Sequence, residues 1–219
     1  MYHFFVEPHQ IGAEEIRIEG ADVNHIRNVL RMKPGEEILI SSREGGDYFC
    51  RVEELEPEYV SAKILEEWEN KELPARIHLF QGLPKGDKME LIIQKAVELG
   101  AYRVVPVSMK RSVVKLDAKK ADAKRKRWNA VSESAAKQSK RSLIPEVAPL
   151  MTYKEAVKDA AGYDMVLLPY ESADGIRKTR ELLASVKPGT DIAVFIGPEG
   201  GFEEAEVELA MQSGFMPVT

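Results

Sequence analysis

The pattern of apolar and polar positions along this chain changes near residue 75. Before that point, apolar runs are as short as β-strands and are separated by turn residues such as Pro34-Gly35. These runs cover 36–41, 48–52 and 59–65. One short helix fits 22–31, with Asp22 as its N-cap. Several short strands of this size predict a small β-barrel over residues 1–70.

From Arg76 onwards, strand-like apolar runs alternate with helix-like ones. The strands are predicted at 77–82, 103–107, 165–168 and 192–196. The helices are predicted at 87–99, where Asp87 and Glu90 have the spacing of a capping box, and at 118–140, 154–161, 173–185 and 203–213. Because alternating strands and helices form parallel sheets, residues 74–219 are predicted to be an α/β domain. The polar segment 66–72, just before Pro74, is the predicted linker.

A Gly-Pro-Glu-Gly-Gly sequence at 197–201, here called the glycine turn, follows the predicted strand 192–196 and precedes a helix. Such a turn presents backbone N–H groups at the carboxyl edge of a sheet, where open α/β sheets bind ligands. Because glycine has no Cβ, a flat ligand can lie against the main chain. Short glycine motifs also occur in turns that bind nothing, so the glycines alone leave both interpretations open.

The composition is that of a globular protein, with 44% hydrophobic and 31% charged residues. The first residues lack the basic start and long apolar run of a signal peptide, and no apolar run approaches the ~20 residues that span a bilayer. Cys50 is the only cysteine, and the four histidines lack the spacing of a zinc site. We therefore expect a cytoplasmic protein with no disulfide and no structural metal.

The net charge of −5 conceals an uneven distribution. Residues 110–141 contain 12 Lys and Arg against three acids, a net charge of +9, whereas the rest of the chain contains 19 basic and 33 acidic residues, a net charge of −14. A concentrated basic segment in an acidic protein favours docking on a polyanion such as structured nucleic acid. The alternative is a solvated helix face whose lysines and arginines serve only solubility.

Four further residues have candidate chemistry. Lys85 and Lys88 lie in a segment that resembles a phosphate cradle but lacks the P-loop and dinucleotide patterns, so they either meet a nucleic-acid phosphate or are ordinary surface lysines. Glu171 follows the strand 165–168. It either hydrogen-bonds a ribose or an amine, or it is a carboxylate at the N-terminus of a helix, where the helix dipole stabilises its charge. His78 lies within an apolar strand and is predicted to be a core or supporting histidine rather than a base.

Motifs spread over essentially the whole chain resemble those of the RsmE family, the 16S ribosomal RNA uridine-N3 methyltransferases of the SPOUT (α/β-knot) superfamily. The similar segments are 25–31 with 34–35, 85–90, 95–100, 111–113, 127–128, 135–141 with 144–145, and 196–202 with Glu206. Their order and spacing together make the resemblance specific. It implies a SPOUT-type α/β knot domain with a parallel sheet, preceded by a PUA-like or OB-like β-barrel that binds RNA.

The resemblance also implies an activity, a cofactor and site residues. The activity is methyl transfer from S-adenosylmethionine to N3 of a uridine in 16S rRNA of the small ribosomal subunit, with no metal. The cofactor would contact Leu168, Pro169, Tyr170, Glu171, Ile196, Gly197, Pro198, Glu199, Gly200 and Gly201. The RNA would contact Arg27, Arg31, Lys85, Lys88, Arg111, Lys137, Gln138 and Arg141, with Arg43 and Lys110 as further candidates. Glu199 is the candidate acceptor of the uridine proton because it is the only acid in the glycine turn, although capping of that turn is the favoured role.

Three further expectations follow from the resemblance. A homodimer is expected by analogy with the superfamily. In the family, the strand near Phe215 leads to a segment that threads the knot and closes the cofactor pocket; the sequence stops at Thr219, so we expect that closing segment to be missing from it. The rival function is that of a non-catalytic rRNA-binding protein, which cofactor binding would exclude.

Overall fold

The computed structural model describes residues 1–170 and 176–219, which form two units. The first unit consists of Met1–Glu72 and Ala136–Ile144, and the second of Leu73–Ala135 and Pro145–Thr219. Each unit has a hydrophobic core of its own.

The first unit is a five-stranded sheet that curls into a half-barrel. Its strands are β1 (Tyr2–Val6), β2 (Glu15–Glu19), β3 (Glu37–Ser42), β4 (Asp47–Leu55) and β5 (Tyr59–Glu67), in the order β1-β3-β4-β5-β2. Only β1 and β3 pair in parallel. The sequence analysis did not assign β1 or β2, although Ile16 and Ile18 in β2 alternate with exposed residues and are buried in the core.

The helical segment of this unit differs from its prediction. Helix α1 covers only Ala21–Asn24 and continues as a π-helical turn, His25–Val29. The prediction of Asp22 as the N-cap is wrong, because Gly20 occupies that position with a φ of +74°. The Asp22 carboxylate instead accepts hydrogen bonds from Lys137 Nζ, 3.2 Å from each oxygen.

The second unit is built on a wholly parallel sheet, as predicted. Its strands are β6 (Arg76–Gly82), β7 (Ala101–Ser108), β8 (Glu146–Val147), β9 (Met151–Thr152), β10 (Met165–Pro169), β11 (Asp191–Ile196) and β12 (Met216–Val218). The order is β12-β10-β11-β6-β7-β8, and β9 also pairs with β7. The carboxyl ends of all these strands therefore lie along one edge of the sheet.

The helices of the second unit lie where the periodicity predicts them, except that residues 173–175 of the helix predicted at 173–185 lie outside the described residues. They are α2 (Lys88–Glu98), α3 (Ala118–Ser139, of which the last four residues belong to the first unit), α4 (Tyr153–Ala160), α5 (Ile176–Ala184) and α6 (Glu204–Gln212). The capping box predicted between Asp87 and Glu90 does not form, because Asp87 makes no side-chain cap and Glu90 accepts from Arg127. Capping boxes form instead at α4, between Thr152 and Glu155, and at α6.

Aromatic stacking across two central strands forms the middle of the second core. Phe80 of β6 and Phe195 of β11 are register partners, and their rings stack with centroids 4.4 Å apart and planes 6° apart. Both side chains are fully buried, and Phe215 packs on Phe195 at 4.8 Å. Two strands that lead to the carboxyl edge are thus held in register by a rigid aromatic pair.

At the opposite end of the same two strands, a polar cluster replaces the aromatic one. The Asp191 carboxylate accepts from the guanidinium of Arg76 and is hydrogen-bonded to His78 Nε2 at 2.9 Å. His78 is buried, as the apolar strand predicts, and burial lowers its pKa. The hydrogen bond from Arg76 is the main reason that the pKa of Asp191 falls to about 2.

We expect Phe195→Ala to lower the free energy of unfolding by about 3–5 kcal/mol, because it removes a fully buried ring and leaves a cavity beside Phe80. Chemical denaturation measures the change. Leu99→Ala is the control, since Leu99 is 79% exposed and its loss should cost less than about 0.5 kcal/mol. Equal losses in the two variants would contradict the stacked pair as a core element.

The stability of the protein at low pH should depend on the ionisation of Asp191. Because the pKa of Asp191 lies near 2 in the folded protein and near 3.8 otherwise, its ionised form contributes stability above about pH 4 that is lost as the pH falls towards 2. Asp191→Asn should remove this part of the pH dependence of the melting temperature between pH 4 and 2. Glu208→Gln, which removes the charge of an exposed carboxylate, should leave the slope unchanged.

Candidate functional site

Two segments of the predicted site end neighbouring strands at the carboxyl edge of the sheet. β10 lies between β11 and β12, Pro169 pairs with Val218, and the Tyr170 N–H donates to the Val218 carbonyl at 3.0 Å. Ile196 ends β11, so it and the glycine turn lie beside the end of β10. Leu168 is buried and Tyr170 is 37% exposed, so the edge has an apolar base and an accessible rim. Glu171 lies outside the described residues.

The glycine turn is a tight bend that depends on its missing side chains. The Gly201 N–H donates to the Pro198 carbonyl at 2.8 Å, and Gly201 has a φ of +69°, a conformation that other residues adopt only with strain. A Cβ built on Gly82, the last residue of β6, would lie 2.7 Å from the Pro198 ring. The turn is therefore seated on the end of β6, and Gly82 is what allows the close approach.

The Glu199 side chain fixes the turn to the segment that follows β6. Its two carboxylate oxygens each lie 3.2 Å from the Lys85 backbone N–H, and Lys88 Nζ donates to Oε1 at 2.8 Å. The hydrogen bond from Lys88 is the largest cause that lowers the pKa of Glu199 to about 2. A carboxylate with so low a pKa is a poor proton acceptor at neutral pH, so this geometry favours the capping role.

Arg111 holds the turn from the other side. Its Nη1 donates to the Gly200 carbonyl at 2.9 Å, and its aliphatic stem lies where a Cβ on Gly200 would be 3.3 Å away. The preceding residue, Lys110, donates its backbone N–H to the carboxylate of Glu206 at 2.9 Å. Sequence reasoning singled out Arg111 only as an RNA contact, and the anchoring role of Glu206 was missed because it joins residues 96 positions apart.

The remaining predicted RNA contacts fall into two groups. Those with exposed or half-buried side chains are Arg27, Arg31, Lys85, Lys88, Gln138, Arg43 and Lys110. Lys137 and Arg141 are bound within the first unit: Lys137 pairs with Asp22, and Arg141 pairs with Glu72. The Nε of Arg141 donates to both Glu72 oxygens at 2.8 and 2.9 Å, and Arg141 is only 8% exposed. Little of this guanidinium is left to meet a phosphate.

Neither a metal-ligand cluster nor a membrane-spanning helix occurs in the part of the chain that the structure describes. No three His, Cys, Asp or Glu side chains there are grouped so that they could hold a metal ion. No helix there has both the length and the apolar character needed to cross a bilayer.

A family model described as RNA methyltransferase domain matches residues 71–219, and one described as RNA methyltransferase PUA domain matches residues 18–65. The curated Ribosomal RNA small subunit methyltransferase E of Bacillus subtilis is 38% identical over 223 residues, which cover 98% of this chain and 87% of that protein.

Two solved structures are similar to this chain over nearly its whole length. The Ribosomal RNA small subunit methyltransferase E of Neisseria gonorrhoeae, bound to S-adenosyl methionine, is 32% identical, with a TM-score of 0.82 over 100% of this chain and 88% of that one. A protein of Legionella pneumophila in complex with the cofactor SAM is 27% identical, with a TM-score of 0.81 over 99% and 87%. The predicted fold class, a SPOUT-type α/β domain after a PUA-like barrel, is confirmed. Because the match to the Bacillus subtilis enzyme extends over nearly the whole chain, this chain belongs to the ribosomal RNA small subunit methyltransferase E family.

Proposed function

We propose that this protein transfers the methyl group of S-adenosylmethionine to N3 of a uridine in 16S rRNA of the small ribosomal subunit. The observation that carries the proposal is the glycine turn, fixed at the carboxyl edge of the parallel sheet by Gly82, Glu199 and Arg111. A relative that is 32% identical and holds S-adenosyl methionine supports the choice of cofactor.

The cofactor fits the glycine turn for a steric reason. A Cβ on Gly201 would project into open space, so the backbone there is bare and accessible. Leu168 to Tyr170 would contact the adenosine from β10, and Ile196 to Gly201 would contact it from β11. When bound, the cofactor supplies an electrophilic sulfonium methyl group, and the role of the protein is to position it for in-line attack.

The RNA would be held by cations at the same edge. Arg111 and Lys110 lie next to the glycine turn, and the exposed Lys85 lies on its other side. Since N3 is on the Watson–Crick edge of uridine, the target base must be unpaired or flipped before it can react. Glu199, with its pKa near 2, holds the turn in place and leaves the N3 proton to another acceptor.

Several finer assignments belong to this proposal. Residues 1–70 are the RNA-binding domain and residues 74–219 the methyltransferase domain. The protein acts in the cytoplasm, where small subunits are assembled, and does so as a homodimer. Size-exclusion chromatography with light scattering measures the last of these directly.

Calorimetry with S-adenosylmethionine, followed by a methyl-transfer assay on small subunits that lack the modification, tests the function. We expect cofactor binding, and nuclease digestion with mass spectrometry should place the product methyl at N3 of a uridine. RNA binding without cofactor binding would instead identify the protein as a non-catalytic rRNA-binding protein. Cofactor binding with methylation at another atom would overturn the N3 assignment alone.

Gly201→Val should abolish cofactor binding, because the new side chain fills the bare backbone edge. Gly214→Val is the matched control: Gly214 also has a positive φ and open space around its Cβ position, but it follows α6, away from the turn. Both variants should lose comparable thermal stability, and only Gly201→Val should lose affinity in calorimetry. A folded Gly201→Val variant with normal affinity would show that the cofactor lies elsewhere.

A double-mutant cycle on Lys88 and Glu199 separates positioning from chemistry. If Glu199 only clamps the turn, Glu199→Gln and Lys88→Ala should each raise the KM for the cofactor several-fold with similar kcat, and the double variant should be no worse than either. A fall in kcat of roughly 100-fold in Glu199→Gln alone, without a change in Lys88→Ala, would assign a chemical role to the carboxylate.

A further inference from the structure

A cavity of about 400 Å³ lies next to the candidate site within the second unit. Its walls come from the end of β7 and the loop after it, the first turn of α4, and the first turns of α6. It contains no residue of the glycine turn or of 168–170. The cavity is nevertheless connected to the turn, because Lys110 lines it and the next residue, Arg111, holds Gly200.

The inner wall of this cavity combines apolar side chains with polar groups that are hydrogen-bonded within the protein. Met109, Tyr153 and Leu209 supply the apolar surface. The Tyr153 hydroxyl donates to the Glu206 carbonyl at 2.9 Å. The two oxygens of the Glu206 carboxylate accept from the backbone N–H groups of Lys110 and Glu203, each at 2.9 Å.

The second acid of the wall is also in use. The Glu203 side chain caps α6 by accepting the backbone N–H of Glu206. Both oxygens of Glu206 thus serve the protein's own backbone, and its fixed position helps to determine the shape of the wall.

Three lysines with exposed side chains also line the cavity: Lys110, Lys115 and Lys154. Within residues 1–170 and 176–219, no carboxylate pairs with any of their ammonium groups. Other lysines of the basic segment form ion pairs with acidic side chains, as Lys120 does with Asp117. The three lysines outnumber the two carboxylates of the lining, Glu203 and Glu206, so the cavity has a net positive charge that an anion placed among the lysines would offset.

We propose that this cavity, the lysine pocket, holds a nucleotide of the RNA substrate adjacent to the target uridine. The base lies against Met109 and Leu209, and the phosphate lies among the three lysines. Proteins that hold single-stranded nucleic acid combine cations along the backbone with a surface on which the bases lie, most often an aromatic one, and Tyr153 is the aromatic residue of this wall. The volume is that of a small-molecule site. The proposal rests on the proposed function only in taking RNA as the ligand.

Continuity with the glycine turn favours an RNA chain over a free nucleotide. Lys110 and Arg111 are consecutive and line the pocket and the turn respectively, so a strand that enters the turn passes the pocket. Lys110 and Lys115 come from the loop after β7 and Lys154 from the first turn of α4, so the cations lie on two sides of the cavity, which suits a backbone running between them.

The test uses the full chain with a single-stranded oligouridylate, uridine monophosphate and unmodified small subunits as probes. Lys154→Glu should weaken oligouridylate and subunit binding roughly fivefold to tenfold and reduce the slope of log K against log salt by about one. Lys158→Glu is the matched control, because Lys158 is exposed on the same helix but does not line the pocket. It should stay within about twofold of the unchanged protein.

Ala205→Trp provides a second, uncharged variant, since Ala205 is an exposed residue of the pocket wall. It should weaken RNA binding by filling the pocket while leaving the salt slope unchanged. Cofactor affinity, measured by calorimetry, should be normal in all three variants. Failure of the unchanged protein to bind cofactor would count against the proposed function and not against the pocket.

Two results would overturn the lysine pocket. Equal losses of RNA affinity in Lys154→Glu and Lys158→Glu would indicate diffuse attraction by surface charge. If uridine monophosphate binds as tightly as the oligonucleotide and only its binding is weakened by Lys154→Glu, the pocket serves a free nucleotide.

Discussion

The seating of Pro198 on Gly82 is the contact on which the candidate site depends. With no side chain at Gly82, the turn after β11 can press against the end of β6 to within a distance that a Cβ would not allow. Once seated there, the turn is within reach of Glu199's partners on one side and of Arg111 on the other. The register of β6 and β11, held by Phe80 and Phe195, determines where that seat lies. Core packing and site geometry are therefore parts of one constraint.

Much of the α/β unit could be predicted from the sequence because its strands and helices are long enough to have a clear period. The strands β8 and β9, of two residues each, have no period and were not predicted. The spacing of Asp87 and Glu90 predicted a capping box, but Arg127 competes successfully for Glu90. Local patterns report local preferences, and a distant partner can override them.

The candidate site shows the same division. The glycine turn was predicted to lie at the sheet edge because its strand, turn and helix are contiguous in sequence. The clamp between Lys88 and Glu199 joins residues 111 positions apart, so no local pattern could reveal it. The charge of residues 110–141 predicted a polyanion site, yet Arg127 and Arg141 are neutralised by acids far along the chain. A net charge over a segment counts cations without showing which of them remain available.

The pairing of Arg141 with Glu72 has a consequence for how the polypeptide folds during synthesis. The first unit is discontinuous in sequence, since it needs 136–144 as well as 1–72. Until Arg141 has left the ribosome, Glu72 lacks the guanidinium that binds both its oxygens. Translation proceeds at about 5–20 residues per second. Several seconds therefore separate the synthesis of β5, the last strand of the half-barrel, from the synthesis of Arg141, and the ion pair cannot form before then. In this fold, the amino-terminal unit is the first to begin folding but cannot be completed until the intervening segment of the second unit has been made.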